Sequence, residues 1–278
     1  MPAASGSKAA MERQNSEFRI LFFTQDDPFY VKNFFDEFFL HYPRMDNVGG
    51  VVICDVMGKR SFRDLLEQMY GFYGPRDFVR MGFRYLGGRA ASASKAVTGR
   101  GRPSSLRQLC ADRGVPVYPG KGINSSEFVE EVKRIGPDII VSVAAPVIFK
   151  RDLIGAARKG CINIHHGKLP RYRGMMPNFW QLYHGEERVG ITVHEINEEI
   201  DDGRIILQKE VDVLPDETLA SLMARTKRIG AHLVIESIGM MRDGNVPYRD
   251  NLSDEGSYFT FPTPGDVQEF KRRGGRIM

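Results

Sequence analysis

Residues 18–24, Phe-Arg-Ile-Leu-Phe-Phe-Thr, are a mostly apolar run of the kind that forms a strand buried on both faces. Gln25-Asp26-Asp27-Pro28 follows as a turn with helix-starting character. Val31, Phe34, Phe35, Phe38 and Phe39 then repeat at helical spacing, with Lys32, Asp36 and Glu37 on the other side. Val51 to Val56 is a second apolar run. Strand, amphipathic helix and strand in this order predict an α/β fold with a parallel sheet and crossover helices.

The first strand-to-helix turn carries two aspartates where a dinucleotide-binding fold needs glycines. Backbone amides must approach a phosphate there, and carboxylates repel it. NAD and ATP are therefore not expected as cofactors.

Downstream, Ser61 to Gly88 mixes arginines with large apolar residues and reads as two short amphipathic helices broken at Gly74-Pro75 and packed on the sheet. A membrane-surface element is the alternative reading. Arg89 to Ser104 is small and basic and reads as a loop. A helix from Ser105 to Arg113 precedes a short strand, Val115 to Tyr118. Asn124 and Glu127 have capping-box spacing for a helix ended by Pro137. Asp138 to Ala144 is the candidate central strand, Ile148 to Ala157 a short helix, and Cys161 to His165 the next strand. Pro177 opens a helix to about Gly185, and Val189 to Ile196 and Ile205 to Val213 read as strands. A long helix is expected from Pro215, followed by a polar, aromatic-dotted tail.

The chain has 278 residues, 42% hydrophobic and 27% charged, an ordinary globular composition. No apolar run approaches the ~20 residues that span a bilayer. Residues 1–17 read as a disordered leader without the apolar core of a signal peptide. Cys54, Cys110 and Cys161 are isolated and odd in number, as in a reduced, cytoplasmic protein. The net charge of +4 is uneven: Lys59 to Arg107 holds 11 basic and 3 acidic residues. That stretch fits an anionic partner, a nucleic acid or a lipid surface, or simply a solvated insertion.

The chemistry concentrates at the end of the Cys161–His165 strand. Asn163 and His165 are two apart, so both side chains leave on one face. Lys168 and Arg171-Tyr172-Arg173 follow, and Asp201 lies in an acidic loop from Asn197 to Gly203. An amide, an imidazole and a carboxylate together suit acyl transfer, with the nucleophile supplied by the substrate. Each residue also has a plainer role open to it: a strand-end hydrogen bond, a core histidine, an ordinary turn. His165 and His166 as a metal pair lack further ligands at suitable spacing, so no metal is expected. His194 reads as a residue that pairs with a neighbouring strand or loop. Cys161 reads as a buried strand residue rather than a nucleophile.

Asn163-Ile-His165, Leu169-Pro170-x-Tyr172-Arg173-Gly174, Gly190-Ile-Thr192-Val-His194 and Ile200-Asp201-x-Gly203, in this order, resemble the folate-dependent formyltransferases. That family includes the glycinamide ribonucleotide, methionyl-tRNA and sugar-nucleotide N-formyltransferases. The resemblance runs from about Ser105 to Ile238. It implies a Rossmann-like fold, a mostly parallel sheet flanked by helices with antiparallel strands near the C-terminal part. It implies a catalytic domain over 18–240 with a basic insertion at about 59–107. Residues 241–278 are expected to pack back on that domain or to make a homodimer contact.

The implied reaction moves a formyl group from 10-formyltetrahydrofolate, the co-substrate, to the primary amine of a small or carrier-linked acceptor such as an amino sugar nucleotide. The implied catalytic residues are Asn163, His165 and Asp201. The folate pocket falls on Val147, Ile148 and Phe149 and on the loop starting Asn197-Glu198. Lys168, Arg171, Tyr172 and Arg173 are candidates for the acceptor. Two departures from the family stand out: Gly167-Lys168 replaces the usual Ser-Leu, and the basic Lys59 to Arg107 stretch is longer than the family has there. Asp26-Asp27 also stands where the glycinamide ribonucleotide enzymes have a phosphate loop. The alternatives are a formyltetrahydrofolate hydrolase, a methionyl-tRNA formyltransferase-like enzyme without the second domain, and a non-enzymatic domain binding RNA or an anionic membrane.

Overall fold

The computed structural model describes residues 18–27, 29–55, 62–98 and 103–278. The expected leader at 1–17, Pro28 of the first turn, the end of the second strand at Val56, and Lys59, Arg60, Arg100 and Arg102 of the basic stretch lie outside them. Strand β1 (Ile20–Gln25) leads into helix α1 (Val31–His41), which returns the chain to β2 (Val48–Cys54). Helix α2 (Phe62–Thr98) and α3 (Leu106–Asp112) precede β3 (Val117–Gly120), α4 (Ser126–Ile135) and β4 (Ile139–Val143). One turn of helix, α5 (Arg151–Ile154), leads to β5 (Cys161–His165). The remainder comprises β6 (Arg173–Gly174), α6 (Pro177–Tyr183), β7 (Arg188–Glu195), β8 (Ile205–Asp212), α7 (Leu219–Asp243), β9 (Tyr258–Phe259) and α8 (Pro264–Arg272).

Seven strands form one sheet in the order β3-β2-β1-β4-β5-β7-β8. The first five run parallel, while β7 is antiparallel to both β5 and β8. From β1 the chain steps outward to β2 and β3, then returns across to β4 and β5. That reversal opens a crevice at the carboxyl ends of the central strands, where α/β folds place their sites.

The unbroken apolar run of β1 is explained by burial of both faces. Ile20 and Phe22 join one core with α1 and α7, while Leu21 and Phe23 join another with α4 and α5. Phe22 meets Phe35 and Phe38 of α1 edge-on at 5.4 and 4.8 Å. A third core stands off the sheet, where Phe72 of α2 meets Phe179 of α6, Val267 and Phe270 of α8, and Ile277. The chain after β8 also adds β9, which pairs in parallel with β6 beside the site.

Several boundaries differ from the sequence reading. The basic stretch is helical to Thr98, with its break at Gly74 (φ 76°), so no loop starts at Arg89. Ala90, Ala91, Ala93 and Ala96 outweigh Gly87-Gly88 in helix propensity. Ahead of that break, Phe72 packs against Phe179 and Phe261 in the third core. Helix α4 is capped by Ser125, whose hydroxyl accepts from the Phe128 N–H, and not by Asn124. Asn124 instead clamps the loop after β4, donating to the Ile148 carbonyl at 2.9 Å and accepting from the Lys150 N–H at 2.9 Å. Helix α7 begins beyond Pro215, at a capping box of Thr218 and Ser221. The helix expected over 148–157 shrinks to α5.

Candidate active site

Strand β5 places Asn163 and His165 near its carboxyl end, and its antiparallel partner β7 sets His194 directly opposite Asn163. Asp201 arrives on the loop between β7 and β8 in a left-handed conformation, φ 51°. Three contacts fix that loop. Asn251 donates to the carbonyls of Asp201 (2.9 Å) and Gly203 (3.0 Å), and the Gly174 N–H donates to Asp201 Oδ2 at 2.9 Å. Gly203 is needed for close approach: a Cβ there would lie 2.0 Å from the Glu195 carbonyl oxygen.

The carboxylate of Asp201 is the hub. Its Oδ2 lies 3.5 Å from His165 Nδ1, and its Oδ1 lies 3.5 Å from His194 Nε2. The Asn163 amide donates to Asp201 Oδ1 at 3.4 Å and to His194 Nε2 at 3.1 Å. His194 Nδ1 then holds its hydrogen toward the Glu195 carbonyl, 2.7 Å away. His165 Nε2 donates to the Tyr172 carbonyl at 2.7 Å. These tautomers follow from the acceptors each nitrogen faces.

Burial works to raise the Asp201 carboxyl. The charge interactions with His165 and His194 and the Gly174 N–H outweigh it and hold the group well below the usual carboxylate range. For His165 the balance goes the other way. Burial lowers its pKa more than the Asp201 charge raises it, so the resting ring is neutral near neutral pH. His166, its neighbour, faces away: Nδ1 lies 3.5 Å from the ammonium of buried Lys227. Burial and that cation drive His166 well below its ordinary pKa.

The remaining candidate residues fall around this hub. Ile148 is exposed on the loop after β4, Val147 is partly buried, and Phe149 turns into the core edge-on to Phe23 at 5.0 Å. Ile148, Phe149, Lys150, Arg151, Asp152 and Glu198 line a depression of about 470 Å³, with Arg151 and Glu198 paired at 3.2 Å. Asn197 shapes the acidic loop, its Oδ1 accepting from the Glu199 N–H at 3.0 Å. On the loop's other side, Arg173, Asp202, Ser257 and Tyr258 help line a depression of about 540 Å³. Arg173 is held there by Asp202 (2.7 Å) and the Asn251 carbonyl (3.0 Å).

Lys168, Arg171 and Tyr172 point elsewhere. Lys168 pairs with Glu210 at 2.8 Å, Arg171 with Glu186 at 3.2 Å, and the Tyr172 hydroxyl donates to Glu186 at 2.6 Å. Of these three, only the backbone carbonyl of Tyr172 reaches the hub.

His194, read from the sequence as pairing with a neighbouring strand or loop, does so through Asn163 and Asp201, whereas Asn251 was not singled out. The partners of His194 were legible only through the antiparallel register of β5 and β7, and Asn251 lies 50 residues from its partner. Cys161 is buried, and burial pushes its thiol up to about 12, away from the thiolate that a nucleophile needs. Among the described residues, the grouping able to share a metal ion is Glu37, His41 and His232 on α1 and α7, apart from this strand end.

The chain is similar over 163 residues, at 33% identity, to the methionyl-tRNA formyltransferase of Clostridioides difficile, covering 58% of this chain and 53% of that protein. It thus spans about half the length of the curated relatives it matches. Its fold is that of glycinamide ribonucleotide transformylase 1 from Symbiobacterium toebii, with TM-score 0.55, 18% identity and coverage of 82% and 89%. The Helicobacter canadensis N-formyltransferase, solved with folinic acid and dTDP-3-aminofucose, superposes with TM-score 0.54 at 16% identity, covering 87% and 71%. Residues 93–238, a span that contains Asn163, His165, His194 and Asp201, match the family described as formyl transferase, and the chain belongs to that family.

Proposed function

We propose that the protein is a 10-formyltetrahydrofolate-dependent N-formyltransferase acting on the primary amine of a small or carrier-linked acceptor, with an amino sugar nucleotide as the leading class. The observation that carries this reading is the convergence of Asn163, His165 and His194 on the Asp201 carboxylate, in a chain of the formyl transferase family. The donor fits the depression between Ile148 and Glu198. Exposed Ile148 offers an apolar contact to a pterin ring, and Lys150 and Arg151 offer cations to the folate's carboxylates. The acceptor then approaches from the side of Arg173, Asp202 and Ser257.

The neutral acceptor amine attacks the formyl carbon, forming a C–N bond and a tetrahedral oxyanion. The amine proton passes to His165 Nδ1, which is bare in the resting tautomer and faces the carboxylate of Asp201. Asp201 stays ionised throughout and stabilises the resulting imidazolium. With His165 then donating to the carboxylate, Asn163 turns one N–H from Asp201 to the oxyanion. Collapse breaks the bond from the formyl carbon to folate N10. His165 returns its proton to N10, leaving the formamide and tetrahydrofolate. His165 thus acts as a neutral base that becomes charged during the reaction. The reading places the enzyme in the cytoplasm, where its three buried cysteines stay reduced.

Incubation with 10-formyltetrahydrofolate and a panel of amines, including amino sugar nucleotides and aminoacyl-tRNA, tests this reading by a formyl mass gain on one acceptor. Formate released at the same rate with no amine present would make the protein a hydrolase instead.

A further inference from the structure

The part of α2 beyond Gly74 takes no part in the site. From Pro75 to Thr98 it carries five basic residues and a single acidic one, Asp77. One side of this arm is held to the protein. Met81 is only 3% exposed, and the Arg84 guanidinium lies 5.8 Å over the ring of Phe29. The opposite side is apolar and bare. Val79 is 55% exposed, Phe83 71% and Leu86 62%. Their spacing of i, i+4 and i+7 puts them on one face of the helix. At about 100° per residue, Met81 falls on the far side of the helix, while Arg76 and Arg80 border the stripe on one flank and Arg89 on the other.

Such a stripe costs free energy in water, and among the described residues nothing buries it, because Met81 sets which face turns inward. A nucleic acid is met by cations and stackable rings at the centre of the contact. Here a phenylalanine and two aliphatic side chains hold the centre and the arginines hold the border. That order suits a helix lying in the interface of an anionic bilayer, with the apolar face at the acyl boundary and the guanidiniums at the phosphates. No helix among the described residues is long and apolar enough to cross a membrane, so the contact is in-plane.

We propose that the Pro75–Thr98 arm of α2 docks the protein on an anionic lipid surface, with Val79, Phe83 and Leu86 entering the bilayer and Arg76, Arg80 and Arg89 meeting the lipid phosphates. Phe29, under Arg84, sits on the turn after β1. Docking therefore holds the carboxyl end of the sheet, where the candidate site opens, close to the lipid. The proposal stands on this exposed face and does not depend on formyl transfer.

The test is flotation of the full-length protein with vesicles of phosphatidylcholine alone and of equal parts phosphatidylcholine and phosphatidylglycerol. The protein is expected to float with the mixed vesicles only, and to lose this at high salt. The triple variant Val79→Ser, Phe83→Ser, Leu86→Ser should bind about 100-fold more weakly with an unchanged melting temperature. Arg76→Gln with Arg80→Gln should weaken binding about 10-fold. Absence of flotation, equal flotation on pure phosphatidylcholine, or a triple variant that floats like wild type overturns the proposal. A dimer that the triple variant splits, without any vesicle binding, assigns the face to a second copy. RNA binding that the arginine variant loses and the serine variant keeps, again without flotation, assigns it to a nucleic acid.

Discussion

His165 Nδ1 lies 3.5 Å from Asp201 Oδ2 while His165 Nε2 lies 2.7 Å from the Tyr172 carbonyl oxygen, so both ring nitrogens face acceptors. A neutral ring satisfies only one, and the shorter contact claims the hydrogen. Nδ1 is left bare beside a carboxylate, an arrangement that makes it a proton acceptor. Asp201→Asn removes the charge that favours protonation there. We expect kcat to fall on the order of 1000-fold, with the circular dichroism spectrum unchanged. Turnover by this variant within tenfold of wild type, on the true acceptor, sinks the mechanism.

His194 acts through its neighbours. Its Nε2 accepts from the Asn163 amide and lies against Asp201, while its Nδ1 is anchored on the Glu195 carbonyl. His194→Ala frees Asn163 to rotate but leaves both depressions intact. The expected signature is a kcat lowered about 30-fold with KM for either substrate changed little. A large rise in KM with kcat intact would move His194 from positioning the reactive groups to binding substrate.

Local pattern carried the fold where one face or one period decided it. The five apolar positions of α1 and the whole of β5, from Cys161 to His165, were readable because core burial selects those residues directly. Asn163, His165 and Asp201 were readable as a set because their residue types suit one chemistry. His194 was readable as pairing with a neighbouring strand or loop but its partners were not, because they come from strand register, and Asn251 was not readable because it comes from a return of the chain 50 residues later. The partners of Lys168 and Arg171 were not readable for a related reason: they are glutamates on β8 and after α6, and no local signal reports such pairing.

The loop that carries Asp201 passes against β7 at Gly203. A Cβ added there would sit 2.0 Å from the Glu195 carbonyl oxygen, which is backbone and cannot swing aside. Gly203→Ala must therefore push the loop outward, disturbing the Asn251 bonds to the Asp201 and Gly203 carbonyls. We expect a loss of about 2 kcal/mol in unfolding free energy and on the order of 100-fold in kcat. Denaturant titration beside steady-state kinetics reads both, and a variant as stable and active as wild type refutes the packing argument.

The three thiols should be silent in the native protein. All are buried, and burial pushes Cys54 up to about 11 and both Cys110 and Cys161 up to about 12. Iodoacetamide at mildly alkaline pH should label none of them until denaturant is added. Labelling of Cys161 in the native state, with matching loss of activity, would return that residue to the list of reactive groups.

Acid should weaken the fold from the imidazole range downward. Burial holds the pKa of His165 and of His166 below the ordinary 6.5, so below that value the unfolded chain binds more protons than the native one. Their contribution to stability is complete above pH 6.5 and is lost as the pH falls through their depressed folded values. Asp201 acts in the same direction in a lower window, because its folded pKa lies below the ordinary 3.8. The melting temperature should therefore be level in mildly alkaline buffers and decline steadily through the acetate range. His166→Asn removes one of the two histidines without touching the Asp201 hub, so its decline should be shallower. A melting temperature that climbs on acidification, or a variant slope equal to that of wild type, contradicts the assignment of buried neutral imidazoles.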